Sequence, residues 1–134
     1  IYNDVVVEDT NGEFDIHLYP KDTFPPTDFH TATLVGNEIY LIGSLGYVDM
    51  RRIGATQVYV LDTVSLKIEV FPTEGDGPGW ISRHSAEYDR SLNEIRVTDG
   101  QVAIKDRKLE PNVHTYFLDL DTGLWRSSAP GSLP

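Results

Sequence analysis

The side chains best suited to binding another molecule are arginine and aromatic residues in the predicted connecting segments. They are Tyr47, Arg51, Arg52, Trp80 and Arg83. Arginine matches the geometry of carboxylate and phosphate groups, and arginine, tyrosine and tryptophan dominate the energetics of protein interfaces. These five residues predict a contact site for an acidic protein partner or an anionic small molecule. The alternative is that they are solvated loop charges with no ligand.

The sequence offers no motif for catalysis, for a cofactor or for a metal ion. The chain has no Cys, which excludes disulfides, thiolate zinc sites and cysteine nucleophiles. The acidic run that begins at Asp119 fails the calcium-loop pattern, because Leu124 and Pro130 stand where Gly and Glu are required. His30 and His84 recur at equivalent places, where we expect a structural hydrogen bond and no metal ion. We therefore predict no catalytic residues, no metal and no cofactor.

Length and charge narrow the class of protein further. A chain of 134 residues, 40% of them apolar, suits one folded domain. Its 11 Lys and Arg stand against 21 Asp and Glu, a net charge of −10. We therefore expect neither nucleic acid nor a membrane surface as a partner. No apolar run reaches the roughly 20 residues of a membrane helix. The compartment stays undecided, with a soluble, cytoplasmic protein slightly favoured.

An internal repeat organises the chain. The segment 30–32 (His-Thr-Ala) recurs at 84–86 (His-Ser-Ala), and the segment 58–63 recurs at 115–120 with its Tyr and Asp in the same places. Each repeat unit contains four short runs rich in Val, Ile, Tyr and Thr between turn residues, a pattern typical of β-strands. The predicted strands are 30–35, 39–43, 57–62 and 68–71 in the first unit, and 84–88, 94–98, 114–119 and 125–127 in the second.

The first twenty residues have the pattern of a β-hairpin. The runs 3–9 and 14–18 flank an Asn-Gly turn at Asn11 and Gly12, a strong hairpin signal. Elsewhere no segment sustains the apolar spacing of an amphipathic helix. The sequence therefore predicts an all-β fold.

The residues at the repeat positions resemble those of the kelch-repeat family of β-propellers. The second unit carries the family pattern at Pro78, Arg83, His84, Tyr116, Asp119 and Trp125. The first unit carries it at Pro26, His30, Gly43, Tyr59 and Asp62, whereas Ile68 stands in place of the Trp. The resemblance implies kelch-like β-propeller blades, each made of four antiparallel strands.

The number of strands corresponds to a single kelch-like domain of about two and a half blades. Residues 1–20 are expected to form half a blade, 21–72 and 73–128 a blade each, and 129–134 a linker to a further blade. Propellers typically close with about four to eight blades. This incomplete propeller, which begins at Ile1 and not at Met, is expected to be a piece of a longer chain or to complete its blades in a homo-oligomer.

The longest connections are predicted to share one face of the blades, which we call the loop face. They are the segments 21–29, 45–56, 72–83 and 101–113, which together hold seven basic and seven acidic residues, while the rest of the chain carries the net charge of −10. Long loops are where binding residues concentrate. All five candidate contact residues belong to this face.

We therefore expect a protein-binding scaffold module of a kelch-type propeller, with no catalysis of its own. Two alternatives stay open: a part of a carbohydrate-processing, epimerase-like kelch enzyme, and a structural fragment with no independent activity. The resemblance also extends to copper galactose oxidases, but that chemistry implies a Cys–Tyr cofactor and the chain has no Cys. Fold resemblance by itself does not determine function.

Overall fold

The computed structural model describes residues 1–105 and 107–128, and the regular structure there is almost entirely β-strand. The strands are β1 (Val5–Glu8), β2 (Phe14–His17), β3 (Thr31–Val35), β4 (Glu38–Ile42), β5 (Val58–Asp62), β6 (Ile68–Val70), β7 (Glu74–Gly75), β8 (Ile81–Ser82), β9 (Ser85–Asp89), β10 (Glu94–Thr98), β11 (Gln101–Lys105), β12 (Lys108–Pro111), β13 (Thr115–Asp119) and β14 (Leu124–Ser128). They form several small sheets, so the predicted all-β class is confirmed. The linker predicted at 129–134 lies outside the described residues.

The first sheet is an antiparallel meander of β3, β4, β5 and β6, in which each strand pairs with the next along the chain. A short turn at Gly36 and Asn37 joins β3 to β4. These strands differ from the predicted ones by no more than one residue at either end. Apolar alternation therefore located this sheet correctly.

The second sheet repeats the meander with β9, β10, β13 and β14, and adds β7 beside β14. The β7–β14 pairing is parallel and was not predicted. Gly75 permits it, because a Cβ there would lie 2.6 Å from the carbonyl oxygen of Trp125 and its φ is +93°. Such close approach of two backbones is a common use of glycine.

The segment 101–113 was predicted to be a connecting loop, and this is wrong for most of its length. It forms the hairpin β11–β12, and β8 adds a third strand. Ala103 is buried and its N–H donates to the Trp80 carbonyl oxygen at 2.9 Å. Lys105 ends β11, Lys108 begins β12 and Arg107 lies between them, and this run of bases hid the hairpin because it resembles the charge of a loop.

One hydrophobic cluster joins the two main sheets. Apolar side chains alternate along each strand, and those of one face of each sheet meet between the sheets. Its buried members are Tyr40, Ile42, Val58, Ile81, Ile95, Val97, Leu118 and Trp125. At the same junction β3 lies beside β9. Burial of a Leu, Ile or Val side chain contributes about 1.5–3 kcal/mol, so this cluster makes the two sheets one structural unit.

The opposite face of the first sheet is covered by the N-terminal segment. Phe24 packs there edge-on against Tyr59, with ring centroids 5.1 Å apart, and Val5 and Tyr19 lie beside it. The side-chain amide of Asn3 donates to the carbonyl oxygens of Tyr19 and Phe24 at 2.9 and 2.8 Å. The two middle strands of the first sheet, β4 and β5, are therefore largely buried on both faces.

The end of β4 approaches β8, the short edge strand of the three-stranded sheet. The N–H of Ser44 donates to the Ile81 carbonyl oxygen at 2.9 Å, and a Cβ on Gly43 would meet that same oxygen at 2.5 Å. A residue without a Cβ at this strand end allows the chain to pass near its neighbour. The loop after β4 is consequently fastened to the segment that leads into β9.

Candidate functional site

The loop 45–56 and the connection 21–29 are held together at one end of the first sheet. The N–H of Leu45 donates to the Asp28 carbonyl oxygen at 3.0 Å, and the N–H of Gly46 donates to the Asp28 carboxylate at 2.8 Å. The side-chain amide of Gln57 donates to the Thr27 hydroxyl at 3.0 Å in a buried position. Backbone and side-chain bonds thus fix the geometry of two long connections relative to each other.

Two of the predicted contact residues hold this loop through a single carbonyl group. The indole N–H of Trp80 donates to the Leu45 carbonyl oxygen at 2.9 Å, and Nε of Arg51 donates to the same oxygen at 3.1 Å. Trp80 is only 4% exposed. Buried N–H donors are normally satisfied in this way, and the bonds make Trp80 and Arg51 supports of the loop.

A pocket of about 190 Å³ lies between the two connections. Its lining residues are Lys21, Pro25, Pro26, Gly46, Met50, Arg52, Gln57, Tyr59 and Trp80. Two of them are cationic and, among the described residues that line it, none carries a carboxylate. We call it the cationic pocket. On a chain of net charge −10 such a composition concentrates positive potential at one place.

Arg52 and Tyr59 interact electrostatically in the wall of the cationic pocket. Burial raises the pKa of the Tyr59 phenol, and the positive charge of Arg52 opposes that rise in part. The phenol is therefore protonated at neutral pH and is a hydrogen-bond donor. Arg52 is exposed to solvent. A guanidinium beside a phenol O–H is a pair of donors suited to a carboxylate or phosphate oxygen.

The remaining predicted contact residues lie outside the cationic pocket. The Tyr47 hydroxyl accepts a hydrogen bond from the Ile1 ammonium group at 3.0 Å. The Arg83 guanidinium stacks over the Phe29 ring at 4.0 Å and donates to the Gln101 side chain at 3.3 Å. The structure therefore brings Arg52 and Trp80 together in one pocket and does not bring Tyr47 or Arg83 to it.

Sequence reasoning missed three polar residues of the pocket as contacts. Lys21 was counted only among the loop-face bases, and Tyr59 only as a marker of the repeat. Gln57 stood at the start of a predicted strand. Alternation along β5 could have revealed Tyr59. It lies on the same face of the strand as Leu61, and that face packs toward the connection 21–29 and away from the second sheet.

A larger depression, of about 660 Å³, covers the outer face of the second sheet. Its charges are largely paired with one another. The Arg126 guanidinium donates two hydrogen bonds to the Glu94 carboxylate, at 2.6 and 3.3 Å, and Arg96 forms an ion pair with Glu87 at 2.5 Å. The Arg126 guanidinium also lies 4.2 Å above the Phe117 ring. A ligand here would have to displace existing ion pairs, so the cationic pocket is the better candidate.

The two repeated histidines occupy different environments. His84 is buried, and its Nε2 lies 3.0 Å from the Thr31 hydroxyl, whereas His30 is exposed. Within 1–105 and 107–128 no cluster of three or more His, Cys, Asp or Glu side chains could hold a metal ion. The same residues contain no helix of the length and hydrophobicity needed to cross a membrane.

Comparison with known proteins leaves the family of this chain open. No family model and no curated protein matches the sequence.

Proposed function

We propose that the chain is a protein-binding scaffold module of the kelch propeller type, whose cationic pocket receives an acidic side chain of a protein partner. The observation that carries the proposal is the composition of the pocket. Lys21 and Arg52 line it, and the described lining residues include no Asp or Glu. Because the chain as a whole is strongly acidic, this local excess of positive charge favours an anionic ligand.

The size of the pocket favours a side chain over a free metabolite. Its volume of about 190 Å³ is below the roughly 300–1,000 Å³ typical of sites that enclose small molecules. When the carboxylate belongs to a peptide, the backbone of that peptide can contact the exposed Met50 and the rest of the loop 45–56. The buried Trp80 gives the pocket a rigid wall, a feature common at the centre of protein interfaces.

The pocket also favours binding over catalysis. Its described lining offers an ammonium, a guanidinium, a phenol and an amide, but no carboxylate or imidazole to accept a proton at neutral pH. These groups can neutralise and orient an anion. We therefore prefer a scaffold to the carbohydrate-processing enzyme.

The arrangement of the two main sheets supports the kelch part of the proposal. Each contains a four-stranded antiparallel meander, the two meanders pack face to face, and the strands β3 and β9 lie side by side. Neighbouring propeller blades have this relationship. Trp125 on β14 is buried between the sheets, where the family pattern puts its Trp.

Isothermal titration calorimetry with two synthetic peptides would test the proposal. One peptide alternates Glu and Gly, and the other has Gln in place of every Glu. We expect only the Glu peptide to bind, with an affinity that falls as salt is added. The variant Arg52→Gln should weaken binding at least tenfold, because it removes the charge and keeps most of the side chain. Lys108→Gln, on β12 and outside the pocket, is the matched control.

Two results would contradict the proposal. One is equal binding of the Glu and Gln peptides, which would show that the negative charge is not recognised. The other is equal loss of affinity in Arg52→Gln and Lys108→Gln, which would show attraction to the surface in general.

A further inference from the structure

The N-terminal hairpin carries apolar side chains on the face that points away from the rest of the molecule. In its register Val6 lies opposite Ile16 and Glu8 lies opposite Phe14. Side chains alternate between the two faces of a hairpin, so these four share one face. The other face includes Val5, which packs against the first sheet. Val5 of the inner face is therefore partnered within the chain, whereas Val7 on the same face is 37% exposed.

Its outer face is exposed and, apart from Glu8, apolar. Val6 is 54% exposed, Phe14 and Ile16 are 63% exposed, and Leu18 just beyond β2 is 79% exposed. We call these four residues the hairpin strip. Single exposed apolar residues are ordinary, but contiguous apolar patches on a protein surface usually mark an interaction site.

The charge around the hairpin strip selects the kind of partner. Residues 1–18 contain five carboxylates and no Lys or Arg. They are Asp4, Glu8, Asp9, Glu13 and Asp15. A second copy docked strip to strip would bring two such sets together, and like charges at an interface strongly disfavour association. An anionic membrane surface is disfavoured for the same reason.

We infer that the hairpin strip docks a basic amphipathic segment of a protein partner. Apolar side chains of that segment would cover Val6, Phe14 and Ile16, while flanking Lys or Arg residues would meet the carboxylates of the hairpin. Glu8 is well placed for such a pair because it lies on the outer face itself, opposite Phe14. This surface is separate from the proposed function, since none of its residues lines the cationic pocket.

Two synthetic helical peptides of 14 residues would probe the strip by fluorescence anisotropy. One has Leu and Lys at amphipathic spacing, and the other has Glu in place of every Lys. We expect the Lys peptide to bind at least tenfold more tightly than the Glu peptide. Ile16→Thr should weaken its binding at least tenfold, because it removes apolar contact and keeps a β-branched side chain suited to a strand.

Matched variants separate the strip from general attraction to an acidic chain. Leu92→Thr changes a residue of similar exposure, 58%, on a turn of the second sheet, and should leave binding unchanged. Glu8→Gln should weaken binding severalfold, whereas Glu110→Gln on β12 should not. Val6→Thr is a second strip variant, to be used if circular dichroism shows that Ile16→Thr disturbs the hairpin.

Three outcomes would overturn the inference. The first is the absence of binding by the Lys peptide, and the second is binding that Ile16→Thr and Val6→Thr leave intact. The third is a concentration-dependent dimer, seen by sedimentation, that Ile16→Thr abolishes. That result would identify a second copy as the occupant. None of these outcomes concerns the Glu peptide and the Arg52→Gln variant that test the cationic pocket.

Discussion

The imidazole of His84 meets the hydroxyl of Thr31 where the two main sheets join, with Nε2 and Oγ1 3.0 Å apart. The Thr31 hydroxyl also lies 3.4 Å from the Ile42 carbonyl oxygen, to which it can donate a hydrogen bond. The other ring nitrogen, Nδ1, is buried and has no hydrogen-bond partner among the described residues. This arrangement suits a neutral ring, and burial lowers the pKa of His84 to about 4.

Acidification is expected to destabilise the protein between about pH 6.5 and pH 4. The unfolded chain binds a proton at His84 near pH 6.5, but the folded chain binds it only near pH 4. Unfolding therefore takes up a proton in this window, and the free energy of unfolding falls as the pH falls. The full effect is on the order of 3 kcal/mol. The His30 ring is exposed at the surface, but surrounding protein atoms partly desolvate it and lower its pKa against the opposing charge of Asp28, so it acts in the same direction.

Urea unfolding at several pH values would measure this effect. His84→Gln should flatten the dependence of the unfolding free energy on pH over that range. Leu92→Ala, at an exposed position and with no titratable group, should leave it unchanged. A slope that His84→Gln does not alter would show that the protonation of other groups, and not of this buried ring, governs acid stability.

Replacing Gly43 by Ala is expected to destabilise the protein by more than about 2 kcal/mol. The new Cβ would lie 2.5 Å from the Ile81 carbonyl oxygen and would also meet the His84 ring, at a backbone φ of +83°. Gly54→Ala has a similar φ, +85°, but its Cβ would have no heavy atom within 4 Å. Thermal unfolding of the two variants separates steric overlap from backbone strain. Equal losses would mean that the sheets can move apart at no cost.

Removing Arg126 is expected to cost more stability than removing Arg96. Both are paired with a carboxylate, but the Glu94 side chain is 7% exposed and the Glu87 side chain 72%. Arg126→Ala leaves a buried carboxylate without its partner, which costs about 1–3 kcal/mol. Arg96→Ala breaks an exposed pair worth under about 1 kcal/mol. Chemical unfolding of both variants would measure the two losses of stability. The double variant Glu94→Gln/Arg126→Ala removes the buried charge as well and should lose less than Arg126→Ala alone. A larger loss in Arg96→Ala than in Arg126→Ala would refute the prediction.

Truncation of Ile95 is expected to weaken both sheets together. Ile95 is fully buried in the cluster that joins them, so Ile95→Ala should cost about 2–5 kcal/mol. Unfolding followed by tryptophan fluorescence and by circular dichroism should stay one coincident transition. Leu92→Ala, at an exposed position, serves as the control. Two separate transitions in the Ile95→Ala variant would show that the sheets fold independently.

The strands of the main sheets could be predicted because their side chains obey local rules. Apolar residues at every second position and turn residues between the runs located β3 to β6 and four strands of the second sheet within one residue. The hairpin β11–β12 escaped prediction because its bases resemble loop charges, and its third strand β8 escaped because it is distant in the sequence and only two residues long. The local pattern of apolar and polar residues does not show which distant segment a strand will pair with.

The candidate site was predictable only in part for a similar reason. Arg52 and Trp80 lie in the cationic pocket as members of the predicted loop face. Arg83 had the same residue type and the same kind of segment, but its guanidinium stacks on Phe29 instead. Whether an arginine is free for a ligand depends on which aromatic ring or carbonyl oxygen lies beside it after folding.

The sequence by itself determined the strands, the internal repeat and the excess of negative charge, because alternation, turn residues and composition are properties of neighbours along the chain. Only the tertiary structure decided which side chains share a pocket and which ones hold the loop 45–56 by hydrogen bonds. It also decided which face of the N-terminal hairpin is exposed. Those outcomes depend on the packing of sheets whose residues are far apart in sequence. The burial of His84 and the exposure of His30, at equivalent places of the repeat, show the difference in a single pair of residues.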